Sequence, residues 1–233
     1  MSKHGKKYYK NAEKAPKGKV VSIHEALKLV KELAYAKFDE SVDVDINLGI
    51  DPTKGEQVVR GSLLLPHSIG AQPKVIVFAK DDYVEKAQKA GADFVGGEEL
   101  IKKIKDGWLD FDYAVATPDM MTPVGELARI LGPKGKLPNK RLGTVTYDVA
   151  TVIQDLKRGR VFFKNDKQGI VHFKLGSLSF GPEKLYENLV AFVKALSAAK
   201  PASSRGKFLG RSFVSSTMGL GVQFNPDELL VRS

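Results

Sequence analysis

Between residues 75 and 117 the chain carries three short apolar runs without polar alternation, "VIVFA", "DFVGG" and "DYAVAT". Each is followed by an amphipathic stretch: "DDYVEKAQKAGA" and "EELIKKIKDG" after the first two, and "PVGELARIL" after the third. A strand apolar on both faces must be covered on both faces, and a strand–helix–strand succession closes by right-handed crossovers into a parallel sheet. This part of the chain therefore reads as a doubly wound, Rossmann-like domain. Its natural close is the helix "DVATVIQDLKRG" at 148–159, so the domain spans 67–159.

The flanks follow a different period. "VDVDINLGI" sets Val42, Val44, Ile46, Leu48 and Ile50 against Asp43, Asp45 and Asn47, the alternation of a half-buried strand. "VVRGSLLL" at 58–65 is expected to return as its antiparallel partner, and "RVFFKN" and "IVHFKLG" form a hairpin about "DKQG". "KFLGRSFVSST" and "GVQFN" form another about Met218 to Gly221. A helix starts at a Ser22/Glu25 capping box and is expected to end near Phe38; a second runs from Pro182 to about Ala199 with Leu185, Leu189, Phe192, Val193 and Leu196 as its buried stripe. Two helices and six strand segments suit a split β-α-β sandwich built from both termini, residues 1–66 plus 160–233. The expected fold is α/β in two domains, for which 233 residues suffice.

Charge is unevenly spread along this plan. The net charge is +10, yet residues 81–112 hold nine acids and five lysines, while residues 1–19 hold seven lysines against Glu13. Residues 157–167 add five bases against Asp166, and Lys200, Arg205, Lys207 and Arg211 follow with no acid among them. Basic segments at both ends of the chain favour a polyanionic partner. For residues 1–19 alone, a solvated tail and a binding segment stand evenly. No apolar run approaches the roughly 18 residues of a membrane span, no signal core follows the basic start, and there is no cysteine. The expectation is a soluble intracellular protein with no membrane partner.

Enzyme chemistry finds no footing. "GPKGKLPN" lacks the full P-loop spacing and has Leu137 where a magnesium-binding hydroxyl belongs. "AGADFVGG" follows a helix and lacks the dinucleotide glycines. The four histidines are scattered, so no metal set is read from them. No cofactor is expected. What remains is "SFVSSTMGLGVQF", a strand-like run ending in consecutive hydroxyls beside basic segments. Lysines supply phosphate affinity, and hydroxyls reach the ribose 2′-OH.

The chain resembles the family of bacterial large-subunit ribosomal protein one. The likeness is carried by "KHGKKYYK", "LAYAKFDESVDVDINLGIDP", "VRGSLLLPHSIG", "AGADFVGGEELIKKIKDGWLDFDYAVATPDMM", "ARILGPKGKLPNKRLGTVT", "GRVFFKNDKQGIVHFKLG" and "SSTMGLGVQFN". Lys140 departs from it, standing where the family commonly has a second proline after Asn139. The resemblance implies a non-enzymatic RNA-binding protein, monomeric when free and placed in the cytoplasmic ribosome. It implies three RNA partners: large-subunit ribosomal RNA, E-site tRNA, and the messenger RNA of its own operon, which it represses. It also implies hinge crossings near Pro66 to Gly70 and Arg158 to Arg160, and assigns the main RNA-binding surface to the domain made from both termini. By residue, it points to Lys37, Phe38, Glu40 and Ser41, to Asp166, Lys167 and Gly169, and to Ser215, Ser216, Thr217, Met218 and Gly219. Some of these positions have local readings too. Phe38 suits a core residue closing the first helix, Asp166 and Gly169 suit a turn, and Met218 suits a gap-filler.

Overall fold

The computed structural model describes residues 5–16, 18–70, 72–80 and 82–229. Lys3, Lys17 and Asp81, which contribute to the charge pattern, and His4, one of the scattered histidines, lie outside the described residues. In chain order the elements are α1 (Lys6–Lys14), α2 (Ile23–Leu33), β1 (Ser41–Leu48), β2 (Arg60–Leu64), β3 (Val75–Phe78), α3 (Asp82–Lys89), β4 (Phe94–Gly96), α4 (Glu98–Lys105) and β5 (Tyr113–Ala116). They continue as α5 (Met121–Gly125), α6 (Ala128–Leu131), α7 (Val149–Arg158), β6 (Arg160–Lys164), β7 (Ile170–Ser177), α8 (Pro182–Ala198), β8 (Leu209–Ser216) and β9 (Val222–Phe224). The chain divides into two compact units, Met1–Gly70 with Phe162–Ser233, and Ala71–Val161.

The first unit is organised by an antiparallel sheet in the order β7-β1-β8-β9. Alternation along β1 sends Val42, Val44 and Ile46 to one face, where Val171, Phe173, Val214 and Val222 join them in burial. Helices α2 and α8 cover that face. The Phe173 ring stacks on Phe192 of α8 with centroids 4.1 Å apart, and each such side chain contributes about 1.5–3 kcal/mol by leaving water. The other face carries Asp43, Asp45, His172, Lys174, Phe213 and Ser215, all at least partly open to solvent.

One polar residue lies within the α8 stripe. Asn188 is fully buried; its Oδ1 accepts from the His67 amide at 3.0 Å, and its Nδ2 donates to the carbonyls of His67 (3.0 Å) and Leu175 (2.8 Å). A buried amide is tolerated only with such partners. It pins the segment after β2 to the helix.

The second unit is the parallel sheet β4-β3-β5 expected from its apolar runs. Ile76, Phe78, Ile104, Phe111, Met120, Leu127 and Leu131 form its core. Lys136, from the basic "GPKGKLPNKR" stretch, is engaged within this unit. Its ammonium lies over the Phe111 ring and donates to the carbonyls of Leu109 and Phe111.

Several local expectations fail for identifiable reasons. Helix α2 stops at Leu33, not Phe38, because its buried stripe (Ile23, Ala26, Leu27, Val30, Leu33) ends there and Ala34 turns extended. Ser22 is its N-cap, but the hydroxyl makes no capping bond, so the capping box does not form. Strand β2 does not join β1, whose two edges are already taken by β7 and β8; it pairs with β6 in a separate two-stranded sheet. For the same reason β6 and β7 are not a laddered hairpin: they meet at the single bridge Asn165–Val171 and diverge into different sheets. "PVGELARIL" is two short helices, since the amides of Glu126 and Leu127 bond to carbonyls three residues back and tighten the turn around Gly125. At the basic N-terminus, residues 6–14 form helix α1.

Candidate nucleic-acid interface

The residues at the Ser41 end of β1 converge on one carboxylate. Glu40 is 1% exposed. Its Oε2 accepts from the Ser216 hydroxyl at 2.6 Å and the Met218 amide at 3.0 Å, and its Oε1 accepts from the Ala36 amide at 2.9 Å. Burial pushes this carboxyl upward, but hydrogen bonds from Ser216, Met218, Ala36 and Tyr35 outweigh it and hold the group below its ordinary value. Glu40 is thus a buried anion satisfied by two chain segments far apart in sequence, 35–36 and 216–218.

A second clasp lies beside it. The Thr217 hydroxyl accepts from the Ser41 amide at 3.0 Å, and the Thr217 amide donates to the Ser41 carbonyl at 3.0 Å. Asp39 accepts from the amide and hydroxyl of Ser179 at 3.2 and 2.8 Å, tying the same corner to the segment after β7. Gly219 closes the turn, with its amide donating to the Ser216 carbonyl at 3.1 Å. A β-carbon there would fall on Ser216 Oγ, so glycine keeps that hydroxyl on Glu40.

What this framework leaves at the surface is specific. Phe38 is 57% exposed and Met218 50% exposed, so neither is the core residue or gap-filler that local reading allowed. Lys37 and Thr217 are exposed, and Ser215 and Gly219 are partly open. Glu40 and Ser216, at 1% and 4% exposure, lie beneath this surface with their side chains bonded to each other. They position the others.

Asp166, Lys167 and Gly169 stand elsewhere. Ser41 pairs with Ser177 of β7, whereas Ile170, next to Gly169, pairs with Asn47. Six residues of β1 separate these points, about 20 Å at 3.4 Å per residue. There Asp166 Oδ1 accepts from the amides of Gln168 and Ile170, each at 2.8 Å, and Gly169 adopts φ +79. Those bonds, that from Ile170 foremost, hold the Asp166 carboxyl low. The pair builds the turn, and Lys167 is its exposed cation.

Sequence reasoning missed two features. A cleft of about 220 Å³ beside this turn gathers Arg60 and Lys164 with Lys167; the β2–β6 pairing that brings Arg60 there has no local signature. The open sheet face also connects the two ends: Asp43 lies opposite both Lys174 and Ser215, and Asp45 opposite both His172 and Phe213. His172 Nδ1 lies 2.6 Å from Asp45, and its Nε2 lies 3.7 Å from Asp166. The alternation of β1 was the signal for that face.

A helix-backed antiparallel sheet, with a parallel α/β unit inserted in its sequence and a side-chain-clamped strand end, defines a two-unit α/β protein that presents a set of ordered surface side chains. The model of the ribosomal protein L1p/L10e family matches residues 30–220, and the chain belongs to that family. It is a structural ribosomal protein rather than an enzyme. Large ribosomal subunit proteins uL1 from strains of Thermus thermophilus are 52% identical to it over 227 residues, covering 97% of this chain and 99% of theirs.

Proposed function

We propose that the chain, a constituent of the large subunit of the cytoplasmic ribosome, binds large-subunit ribosomal RNA through the strand end where Lys37, Phe38, Ser215, Thr217, Met218 and Gly219 meet. The observation that carries this reading is the buried Glu40 tie, which holds two loops in register and so presents an aromatic ring, a thioether and a lysine already ordered. Rigid presentation lowers the cost of binding. Exposed apolar side chains can stack on unpaired bases, the Ser215 hydroxyl and nearby backbone can bond ribose, and Lys37 holds phosphate.

In keeping with the family resemblance, the protein belongs to the mobile stalk, takes part in release of E-site tRNA, and represses its own operon by binding a similar fold in the messenger RNA. The basic cleft about Arg60, Lys164 and Lys167 is a further phosphate-holding surface on the same unit. Free protein is monomeric. Thr217→Val tests the reading: it removes the hydroxyl from both Ser41 and the ligand while keeping the side-chain shape, and the dissociation constant for large-subunit RNA rises about tenfold at fixed salt (about 1.4 kcal/mol). An unchanged constant overturns it.

A further inference from the structure

Helix α1 has no fully buried side chain among its described residues, and its nine residues are too few to be stable alone in water. Nevertheless it is tethered to α2, where Asn11 Nδ2 donates to the Leu33 carbonyl at 2.7 Å. Leu33 ends α2, and its carbonyl is one of those that a helix end leaves without an internal partner. Four residues later stands Lys37, the first residue of the candidate interface, within about 14 Å along even a fully extended chain.

Lys7, Lys10 and Lys14 are all exposed. Their spacing of three and seven residues puts them within about 60° of one another around the helix and along about 10 Å of its length. Tyr8, Asn11 and Ala12, the less exposed residues, occupy the adjoining side. None of the three lysines has a carboxylate within ion-pair distance among the described residues, although the one acid of the helix, Glu13, stands three residues after Lys10, about 60° round from it on the side away from Tyr8 and Ala12. Three like charges on so short a helix repel one another. A polyanion laid along them relieves that repulsion.

We propose that α1 is a second RNA-contacting element, in which Lys7, Lys10 and Lys14 hold consecutive backbone phosphates next to the RNA seated at Lys37, Phe38 and Met218, with Asn11 setting the helix in place. The proposal rests on the RNA-binding reading above. Its contacts are electrostatic and blind to sequence, unlike those of the 215–219 turn.

The test is the salt dependence of binding to purified large-subunit ribosomal RNA by the full-length chain, comparing wild type with Lys7→Gln/Lys10→Gln/Lys14→Gln. Glutamine keeps the helix propensity. Each lost phosphate contact lowers the slope of log K against log [salt] by about 0.7–0.9, so the triple variant's slope falls in magnitude by about 2–3. A charge-matched control in the inserted unit, Lys89→Gln/Lys102→Gln/Lys103→Gln, keeps the wild-type slope. Asn11→Ala weakens binding at low salt with all lysines present. An unchanged slope in the α1 variant, or equal loss in the control, overturns the proposal while leaving the Thr217 result standing. Absence of binding by the wild type removes the RNA reading itself.

Discussion

Replacing Glu40 removes an acceptor shared by the Ser216 hydroxyl and the amides of Met218, Ala36 and Tyr35. With Glu40→Ala, the Ser216 hydroxyl and the amides of Met218 and Ala36 lose their partner, at about 1–3 kcal/mol for each donor left buried and unsatisfied. The Met218 and Ala36 amides are only partly buried, so water recovers some of this, and the expected loss is about 2–4 kcal/mol. Glu40→Gln is the sharper probe. Whichever way its amide turns, the NH2 faces a backbone N–H: that of Ala36 on one side or Met218 on the other. Ser216 can rotate its hydroxyl to accept, but the backbone amides cannot, so about 1–2 kcal/mol is lost even though the shape is kept. The chain's one tryptophan, Trp108, lies in the inserted unit. Its fluorescence transition should stay in place in denaturant while the circular-dichroism transition of the first unit moves to lower concentration. Because the Glu40 carboxyl is held below its ordinary value of 4.5, its contribution is present at neutral pH and is lost as pH falls through the folded value. The Gln variant therefore shows a shallower acid limb. RNA affinity falls about tenfold through disorder at Phe38 and Met218. Wild-type stability and wild-type affinity in Glu40→Gln together would refute the clamp.

Other substitutions test neighbouring claims. Gly219→Ala pushes Ser216 Oγ away from Glu40 and reproduces the Glu40→Gln loss in RNA titration; normal affinity would show the turn to be more compliant than argued. Asn188→Ala leaves the His67 and Leu175 backbone groups unpaired and costs about 2–4 kcal/mol in denaturant melts, with no change in the Trp108 transition.

The parallel unit was legible because strands buried on both faces have one outcome, and β1 was legible as a half-buried strand because it alternates without error. The strand partners of β2 and β6 were not legible. Pairing is decided by which edges remain free once β7 and β8 have flanked β1, and no local residue encodes that. Of the candidate site, Phe38 and Met218 were recognisable as surface residues only through the family likeness, since by composition both suit a core. The positioning role of Glu40 was hidden, because an acid preceding an alternating strand gives no hint that a serine and an amide 176 and 178 residues away converge on it. Helix α1 was equally hidden: its lysines suit a solvated tail just as well, and no local signal shows Asn11 reaching the end of another helix.

The central claim is that an ordered strand end, presented by Glu40, grips folded RNA. Footprinting of purified protein on large-subunit ribosomal RNA addresses it most directly, with wild type and the surface pair Phe38→Ala/Met218→Ala side by side. The account predicts a discrete protected region for wild type and its loss for the double variant, whose circular dichroism stays unchanged. Equal protection by both proteins, or none by either, would contradict it.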